Sequence, residues 1–367
     1  MPTPEPAPSG SSLSSAPVAD TKPAADAKPT PAAADAKPAT DAKPAADAKP
    51  AKPAADAKPA TVTAVAGAMK KEFKPPPLPA GAKLKMVWVD EFVGTAVDTA
   101  KWKIIEGDGT DYGEAGWYNK EVHCYTTSPE NLKVDGKLVI TAKKGVKCMN
   151  AKNKTDTTVT ATSARIATKD MWMWKGTAGN SSPLLVSARL KVPMAKSSFP
   201  AFWMLPHDDA QEWCSGCGKY GGWPKSGEID IMEHINEEEV FYSTLHFGPP
   251  HPAVHTQYQK WFTFDKSDGP DKWHTYHLLW DSEYIKTFID QKPVLDAKPS
   301  DWNAPAEKSD KYEPFNNAMG IILNLAVDSK WVRANLKASE TVPTDISSLP
   351  YSMEVDYVVV HEVDLGK

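Results

Sequence analysis

The stretch that decides the fold reads Glu228-Ile-Asp-Ile-Met-Glu233, where three carboxylates occupy six positions and only apolar residues separate them. This alternation is typical of a β-strand with one buried face, because successive side chains point to opposite faces of a sheet. The two isoleucines would face a core, and Glu228 and Asp230 would lie together on the other face. Glu233 breaks the alternation, so a regular strand would bury its charge at a large cost. One extra residue, taken up as a β-bulge near Met232, would return Glu233 to the carboxylate face.

A row of acids on one strand face is unfavourable for stability, because like charges repel and raise one another's pKa. The same row suits cleavage of a glycosidic bond, which needs one carboxylate and one carboxylic acid. Asp230, between the two glutamates, can share a proton and separate the pKa values of its neighbours. Two other interpretations are a solvated strand face and a Ca²⁺ site, since oxygen-rich clusters also bind that ion.

Composition divides the 367 residues into two parts, predicted as a tail over 1–80 and one globular domain over 81–367. Every Trp, Cys and Tyr lies in the second part. The first part is rich in Ala, Pro, Lys and Asp, and it lacks the apolar residues that a core needs. We therefore expect a disordered, semi-extended linker. It repeats Asp-Ala-Lys-Pro at 26–29, 35–38, 41–44, 47–50 and 56–59.

Short stretches rich in β-formers alternate with turn residues throughout the second part, and no long amphipathic helix is evident. The predicted strand Met319–Val327 contains the run Gly320–Val327, which is apolar except for Asn324, and is predicted to be central. Many short strands separated by Gly, Pro, Asp and Asn predict an all-β sandwich or jelly roll of two antiparallel sheets. The other predicted strands are Lys137–Lys143, Leu184–Val192, Ala201–Leu205, Glu228–Glu233, Val240–Phe247, His274–Trp280, Ile285–Ile289 and Met353–Val360.

Charge and hydropathy exclude several partners. The net charge of −5 and the isoelectric point near 6.0 argue against a nucleic-acid partner. No apolar run approaches the roughly 18 residues that would cross a bilayer. The first residues show neither the basic start nor the apolar core of a signal peptide.

The cysteines and tryptophans leave alternatives open. Cys214 and Cys217 form a Cys-x-x-Cys motif, whereas Cys124 and Cys148 stand apart. Disulfides, free thiols, and metal or redox chemistry are all compatible with four cysteines. Of the thirteen tryptophans, we expect about half in the core and a few on a sugar-binding surface. Those in loop-like stretches are Trp117, Trp172, Trp174, Trp213, Trp223 and Trp331.

The stretch Ser226-Gly-Glu-Ile-Asp-Ile-Met-Glu-His234 resembles the active-site signature of glycoside hydrolase family sixteen. Its bulged spacing is similar to the laminarinase-like β-1,3-glucanases rather than to relatives with the tighter Glu-x-Asp-x-Glu. Further blocks resemble the family in the same order along the chain: Val89–Phe92, Glu130–Leu132, Asp135–Ile140, Thr162–Arg165, Phe199–Pro206, Thr244–Gly248, Ile322–Ala326 and Val355–Val358.

The resemblance implies a β-jelly roll with a concave sugar-binding groove, and it implies roles for the three acids. Glu228 would be the nucleophile, and Glu233 would act first as acid and then as base. Asp230 would assist by hydrogen bonding to the nucleophile. Ser187 departs from the family pattern, in which an acid is common at that position, and this predicts a changed polarity in the nearby groove.

The resemblance also implies five substrate-binding residues. Trp223 would stack on sugar near the cleavage point, and Trp203 would form part of the groove floor. His246 would steady the acid/base or the sugar, and Asn119 and Arg165 would hydrogen-bond sugar hydroxyls. Packing or a plain surface position is the alternative for each.

A structural Ca²⁺ is common among the relatives, and no cofactor is implied for catalysis. The matching positions are Glu91 and Gly136, through backbone oxygens, and Asp356, through its carboxylate. Hard oxygen donors fit this ion. The alternative is that Asp356 caps or pairs at the start of a strand.

The sequence therefore predicts endo-acting, configuration-retaining hydrolysis of β-1,3-glucan, of the laminarin or mixed β-1,3/1,4 type. The alternatives are a transglycosylase on the same site, a non-catalytic glucan-recognition protein, and a wall-anchored structural protein. We expect a monomer whose partner is a β-glucan polysaccharide. The resemblance implies an extracellular or cell-wall location.

Overall fold

The computed structural model describes residues 69–113, 115–150, 152, 154–177, 180–207, 218–249, 256–302, 310–335 and 345–366. Most of the predicted tail, residues 1–68, lies outside the described residues, and so do Cys214 and Cys217.

The described residues are almost entirely β-structure, as the sequence predicts. Their helices are a 3₁₀ turn at Thr110–Tyr112 and two short α-helices, Pro299–Trp302 (α1) and Lys330–Asn335 (α2). The strands are Lys83–Asp90 (β1), Trp102–Ile105 (β2), His123–Tyr125 (β3), Leu132–Val134 (β4), Leu138–Lys144 (β5), Lys147–Asn150 (β6), Thr155–Thr158 (β7), Ala161–Ser163 (β8), Arg165–Thr168 (β9), Lys175–Thr177 (β10), Asn180–Ser182 (β11), Leu184–Lys191 (β12), Ser198–Leu205 (β13), Glu228–His234 (β14), Val240–Phe247 (β15), Thr256–Thr263 (β16), His274–Trp280 (β17), Ile285–Ile289 (β18), Lys292–Ala297 (β19), Gly320–Val327 (β20) and Tyr351–Asp364 (β21).

Two large sheets pack face to face. The seven-stranded sheet has the order β16-β15-β14-β13-β20-β9-β2. The ten-stranded sheet has the order β19-β18-β17-β12-β21-β5-β8-β3, with β1 added beside β21 and β4 beside β5. One core lies between them, to which the first sheet contributes Phe202 and Met232 and the second contributes Val186 and Val358. This is the β-sandwich that the sequence predicts.

The central position of Gly320–Val327 is confirmed. β20 pairs with β13 on one side and β9 on the other, and every one of its residues is buried. A strand covered on both faces loses the polar alternation that marks a half-exposed strand. Its sequence is therefore continuously apolar except for Asn324.

Cys124 and Cys148 form a disulfide that joins β3 to β6, with their Cα atoms 5.4 Å apart. For this pair the disulfide alternative is the one confirmed. Trp172 and Trp174, placed in a loop-like stretch by the sequence, are core residues only 5% and 6% exposed.

Ser187 does not affect the polarity of the groove. It lies on β12 of the ten-stranded sheet, fully buried, with its Oγ atom 2.8 Å from His277 Nδ1. The carboxylate row lies on the other sheet, so the prediction for this position is wrong. Residue matching placed Ser187 in a family block but could not show which sheet carries that block.

Residues 69–82 cross the ten-stranded sheet. The ring of Phe73 stacks on His361 at a centroid distance of 4.8 Å and meets Tyr357 edge-on at 6.2 Å. Pro76 is buried beside them. Part of the stretch assigned to the tail by composition therefore contacts the domain. Among the described residues, no helix is both long and apolar enough to cross a membrane.

Candidate active site

The predicted β-bulge is present in β14. On the neighbouring strand β13, Trp203 pairs with Asp230 and Ala201 pairs with Glu233, so one residue of β13 is matched by two of β14. The register towards β15 shifts between the same two acids. The two intervening residues, Ile231 and Met232, are both buried. The bulge therefore returns Glu233 to the face that carries Glu228 and Asp230.

Glu228 and Asp230 are held by groups from two other segments. Trp223 Nε1 donates a hydrogen bond to Glu228 Oε2 at 2.9 Å. His246, which pairs with Glu228 across β14 and β15, places its Nε2 atom 3.3 Å from Asp230 Oδ2 and 4.0 Å from Glu228 Oε1. Asp230 is only 2% exposed. The structure thus brings these four predicted site residues together.

Glu233 is held by side chains of the neighbouring strands β15 and β16. Thr244 Oγ1 donates to Glu233 Oε2 at 3.4 Å, and Gln259 Nε2 donates to the same hydroxyl oxygen at 3.0 Å. Since a hydroxyl group has one proton, the bond from Gln259 directs that proton towards Glu233. Glu233 keeps its second oxygen for other contacts.

Burial raises the pKa of every carboxyl in the row, and the charge of Asp230 adds to this effect at the two glutamates. Burial, followed by the charge of Asp230, raises the pKa of Glu228 to about 8, although His246 acts in the opposite direction. The pKa values of Asp230 and Glu233 are raised well above their usual range, again mainly by burial. Burial therefore favours a protonated carboxyl in the row, which is the acid half of the acid–carboxylate pair that cleavage of a glycosidic bond needs.

A cation–aromatic stack extends from β13, the strand next to β14, to β9, the third strand from it. The Arg165 guanidinium on β9 lies 4.9 Å from the ring centroid of Trp117 and 4.9 Å from that of Trp203. Trp203 Nε1 donates to Asn324 Oδ1 at 2.7 Å, which fixes the indole on the sheet. Trp203, Arg165 and Trp117 therefore lie together, and substrate binding by Trp203 and Arg165 stays a prediction.

Asn119 reaches this stack through a residue that the sequence did not single out. Its Nδ2 atom donates to Glu121 Oε1 at 3.4 Å. Burial raises the pKa of Glu121 to about 8, although the Arg165 charge lowers it in part. An isolated glutamate in a turn has no sequence signal that distinguishes it from a surface residue, so only the fold identifies Glu121 as part of the site.

The edge strand β16 supplies a second residue that the sequence missed. Trp261 pairs with Tyr242, which itself pairs with Glu233, so all three lie on one face. Trp261 is 62% exposed, whereas six of the twelve tryptophans among the described residues are buried and the other five are only partly exposed. An exposed indole in line with the acids extends the surface on which a sugar chain could lie.

The residues assigned to calcium lie close together in the structure, and the side chain of Lys71 lies between Gly136 and Asp356. Lys71 Nζ donates to the backbone oxygen of Gly136 and to both the backbone and carboxylate oxygens of Asp356. Glu91 contacts the same segment through its side chain, whose Oε1 accepts the backbone N–H groups of Lys70 and Lys71. The calcium assignment remains a prediction.

Glu228, Asp230 and His246 are also close enough to share a metal ion, with ligand atoms within 4.8 Å of one another. A metal and an acid–base pair thus remain two chemical uses for this row.

A β-sandwich that carries a bulged row of acids and flanking aromatic rings on one open sheet face defines the class of β-sandwich carbohydrate-active proteins. Comparison with known proteins narrows the class. The family model described as "XgeA-like, catalytic GH16 domain" matches residues 133–271. The glucan endo-1,3-beta-glucosidase of Cryptopygus antarcticus is 30% identical over 252 residues, covering 65% of this chain and 79% of the relative.

Longer relatives and solved structures agree. Glucan endo-1,3-beta-glucosidase A1 of Niallia circulans is 32% identical over 288 residues, covering 77% of this chain but only 39% of the relative. The endo-beta-1,3-glucanase from Pyrococcus furiosus superimposes with a TM-score of 0.59 at 27% identity, covering 80% of this chain and 99% of that structure. The chain belongs to glycoside hydrolase family 16.

Proposed function

We propose that the protein is an endo-acting glucanase that hydrolyses β-1,3-linked glucan with retention of configuration. The observation that carries the proposal is the bulge in β14, which presents Glu228, Asp230 and Glu233 on one face of the seven-stranded sheet. The names of the family relatives support β-1,3-glucan as the polymer.

In the first step Glu228 attacks the anomeric carbon. Its Oε2 atom accepts the hydrogen bond from Trp223, so Oε1 is the oxygen available to form the glycosyl ester. The bond to the leaving oxygen breaks as Glu233 transfers its proton to that oxygen. Burial favours this proton on Glu233 before the reaction, because it raises the pKa of that carboxyl.

In the second step a water molecule attacks the same carbon from the face that the leaving group has vacated. Glu233, now ionised, accepts the water proton, and the ester bond to Glu228 breaks. Two displacements at one carbon return the original configuration. Asp230 assists by sharing a proton with Glu228, whose charge would otherwise be poorly solvated at a buried position.

The surfaces on either side of the row are assigned to the polymer. Trp203, Arg165 and Asn119 would contact sugar units on one side of the scissile bond. Trp261 would contact units on the other side, across β15. Aromatic rings suit the apolar C–H faces of pyranose rings, and guanidinium and amide groups suit their hydroxyls.

A reducing-end assay tests the activity on laminarin, lichenan, agarose and xyloglucan, and NMR detection of the first anomer released tests the stereochemistry. We expect cleavage of laminarin, fragments of intermediate length as early products, and the β-anomer first. No cleavage of any of the four polymers would refute the enzyme, and an α-anomer as the first product would refute retention.

Glu228→Ala and Glu233→Ala separate the two roles. Both variants should lose laminarin hydrolysis while still binding the polymer. On an activated aryl glycoside, whose leaving group departs without protonation, azide should rescue both variants but give products of opposite configuration, because it replaces the nucleophile in Glu228→Ala and attacks the glycosyl-enzyme without a base in Glu233→Ala. If Glu228→Ala kept most of its activity, the assignment of the nucleophile would be wrong.

Three alternatives to this proposal make different predictions. A glucan-recognition protein would bind laminarin without cleaving it, and the presence of both glutamates favours catalysis over this alternative. A metal held by Glu228, Asp230 and His246 would make activity sensitive to chelation, whereas we propose that catalysis needs no cofactor. A transglycosylase would give products longer than its substrate when a sugar acceptor is added.

We further propose an extracellular or cell-wall location and a monomeric state. The disulfide between Cys124 and Cys148 supports an oxidising compartment. In this proposal, residues 1–68 serve as a spacer between the domain and its surroundings.

A further inference from the structure

Lys71 places its charged end among oxygen atoms that are far from it in sequence. Its Nζ atom lies 2.7 Å from the backbone oxygen of Gly136, 2.8 Å from the backbone oxygen of Asp356 and 2.7 Å from Asp356 Oδ1. An ammonium group has three N–H donors, and these three acceptors match that number. The side chain is 21% exposed, whereas Lys74 in the same segment is 76% exposed.

These oxygens do not fit a calcium ion while Lys71 is in place. Ca²⁺ requires six to eight oxygens at about 2.3–2.6 Å, and the space between these acceptors is taken by the ammonium. Asp356 Oδ2 already accepts from Arg189 Nη1 at 2.8 Å. A divalent ion added here would place four positive charges around one carboxylate.

The lysine is held by its backbone as well as by its ammonium group. Glu91 Oε1 accepts the N–H groups of Lys70 and Lys71 at 2.8 and 2.6 Å. Two residues further on, Phe73 stacks on the ten-stranded sheet, and Gln291 Nε2 then donates to the backbone oxygen of Pro75 at 2.7 Å. The ammonium is thus delivered by an ordered segment and not by a freely rotating side chain.

We propose that Lys71 is a built-in cation that occupies the oxygen site in place of calcium. The ammonium group neutralises Asp356 and satisfies the backbone oxygens, so the stability of the domain is independent of calcium. A second consequence is that the segment around Lys71 belongs to the folded domain, because removal of the segment would also remove the cation.

Thermal unfolding of the full chain tests this proposal, with and without EDTA and with added calcium chloride. The wild-type protein should melt at the same temperature in all three conditions. Lys71→Ala should melt roughly 2–6 °C lower in EDTA, because it removes the cation that pairs with Asp356 Oδ1 and the two backbone oxygens. Calcium should bind this variant, detected as heat in a calorimetric titration, and should restore part of the lost melting temperature.

Lys74→Ala is the matched control. It removes one positive charge from a lysine that lies three residues from Lys71 and touches none of these oxygens. It should melt like the wild type and show no response to calcium. The proposal would be overturned by a wild-type melting temperature that rises with calcium or falls with EDTA. It would also be overturned if Lys71→Ala melted like Lys74→Ala, or if calcium failed to bind Lys71→Ala. The wild-type measurement decides the point even if Lys71→Ala does not fold.

Discussion

His246 Nε2 lies 3.3 Å from Asp230 Oδ2, so a group that can carry positive charge faces the central acid of the row from the neighbouring strand. The two residues act on the flanking glutamates in opposite directions. The charge of Asp230 raises the pKa values of Glu228 and Glu233, and the charge of His246 lowers them. The pH range in which one glutamate is ionised and the other protonated therefore depends on this pair.

Asp230→Asn should move the pH profile of activity to lower pH. Loss of the negative charge removes a cause of the raised pKa in both glutamates, so each ionises more readily. We expect the midpoint of the alkaline limb of the kcat/KM profile to move to lower pH by about one unit. The value at the optimum should fall by less than the roughly 10²–10⁴-fold that loss of a general acid costs. Laminarin hydrolysis measured from pH 4 to 10 checks both numbers.

His246→Gln is the paired variant, and it should shift the same limb to higher pH. Glutamine keeps a polar side chain of similar length but cannot carry a charge. Shifts in the same direction for Asp230→Asn and His246→Gln would show that the electrostatic account of the row is wrong.

Glu121→Gln should make stability less dependent on pH. The pKa of Glu121 is about 8 in the folded protein, against 4.5 normally, so the folded state keeps a proton that the unfolded chain loses above pH 4.5. The stability linked to this proton is complete below pH 4.5 and is lost as the pH rises through 8. Glutamine resembles the protonated form at every pH. Relative to the wild type, the variant should gain roughly 1–3 kcal/mol at pH 8.5 and almost nothing at pH 4, as measured by urea unfolding.

Trp261→Ala should weaken binding of long substrates more than of short ones. The indole is 62% exposed and contributes little to the core, so the melting temperature should change by less than 1–2 °C or so. Loss of one stacking platform should raise KM for laminarin by about 5- to 30-fold, with a much smaller effect on laminaritriose. Val93→Ala, at a position 65% exposed, serves as the surface control. Equal effects on both substrates would place Trp261 outside the path of the polymer.

Much of the sandwich could be predicted because its inner strands follow simple patterns. Val240–Phe247, His274–Trp280 and Ile285–Ile289 have the predicted bounds. Their side chains are buried on at least one face, so apolar residues recur with a strand's period. The edge strand Thr256–Thr263 is largely exposed, and its polar sequence carries no such pattern. Trp261 was missed together with the strand that carries it.

The carboxylate row was predictable because its residues are neighbours in sequence, so one strand and one bulge suffice to arrange them. Glu121 and Lys71 could not be found this way. Glu121 acquires its role from Arg165, and Lys71 acquires its role from Asp356, 285 positions away. Such contacts depend on how the sheets and segments come together, and no local pattern encodes them.

Replacing Cys124 and Cys148 together by serine should reduce the free energy of unfolding by about 2–4 kcal/mol. The disulfide closes a loop between residues 24 positions apart, and its loss gives the unfolded chain more freedom. Urea unfolding of the double variant measures this change. The carboxylate row lies on other strands, so kcat on laminarin should stay within about twofold. A large loss of kcat at full folding would show that β3 helps to shape the site.

Deletion of Ile231 should remove the bulge and still leave the three carboxylates on one face of β14. On β13 a single residue separates the partners of Asp230 and Glu233, so with one residue fewer β14 would pair with it regularly. Strict alternation would then leave all three carboxylates on one face. Insertion of one alanine after Met232 also restores the alternation, but it moves Glu233 from its place opposite Ala201 to a place opposite Phe199, which is roughly 7 Å further from Glu228 along the strand. We therefore expect the deletion variant to fold, with a loss of about 2–5 kcal/mol for the missing core side chain, and to retain measurable hydrolysis. The insertion variant should lose hydrolysis entirely. If the insertion were the better tolerated of the two in activity and in melting temperature, the bulge would not be what places Glu233 at the site.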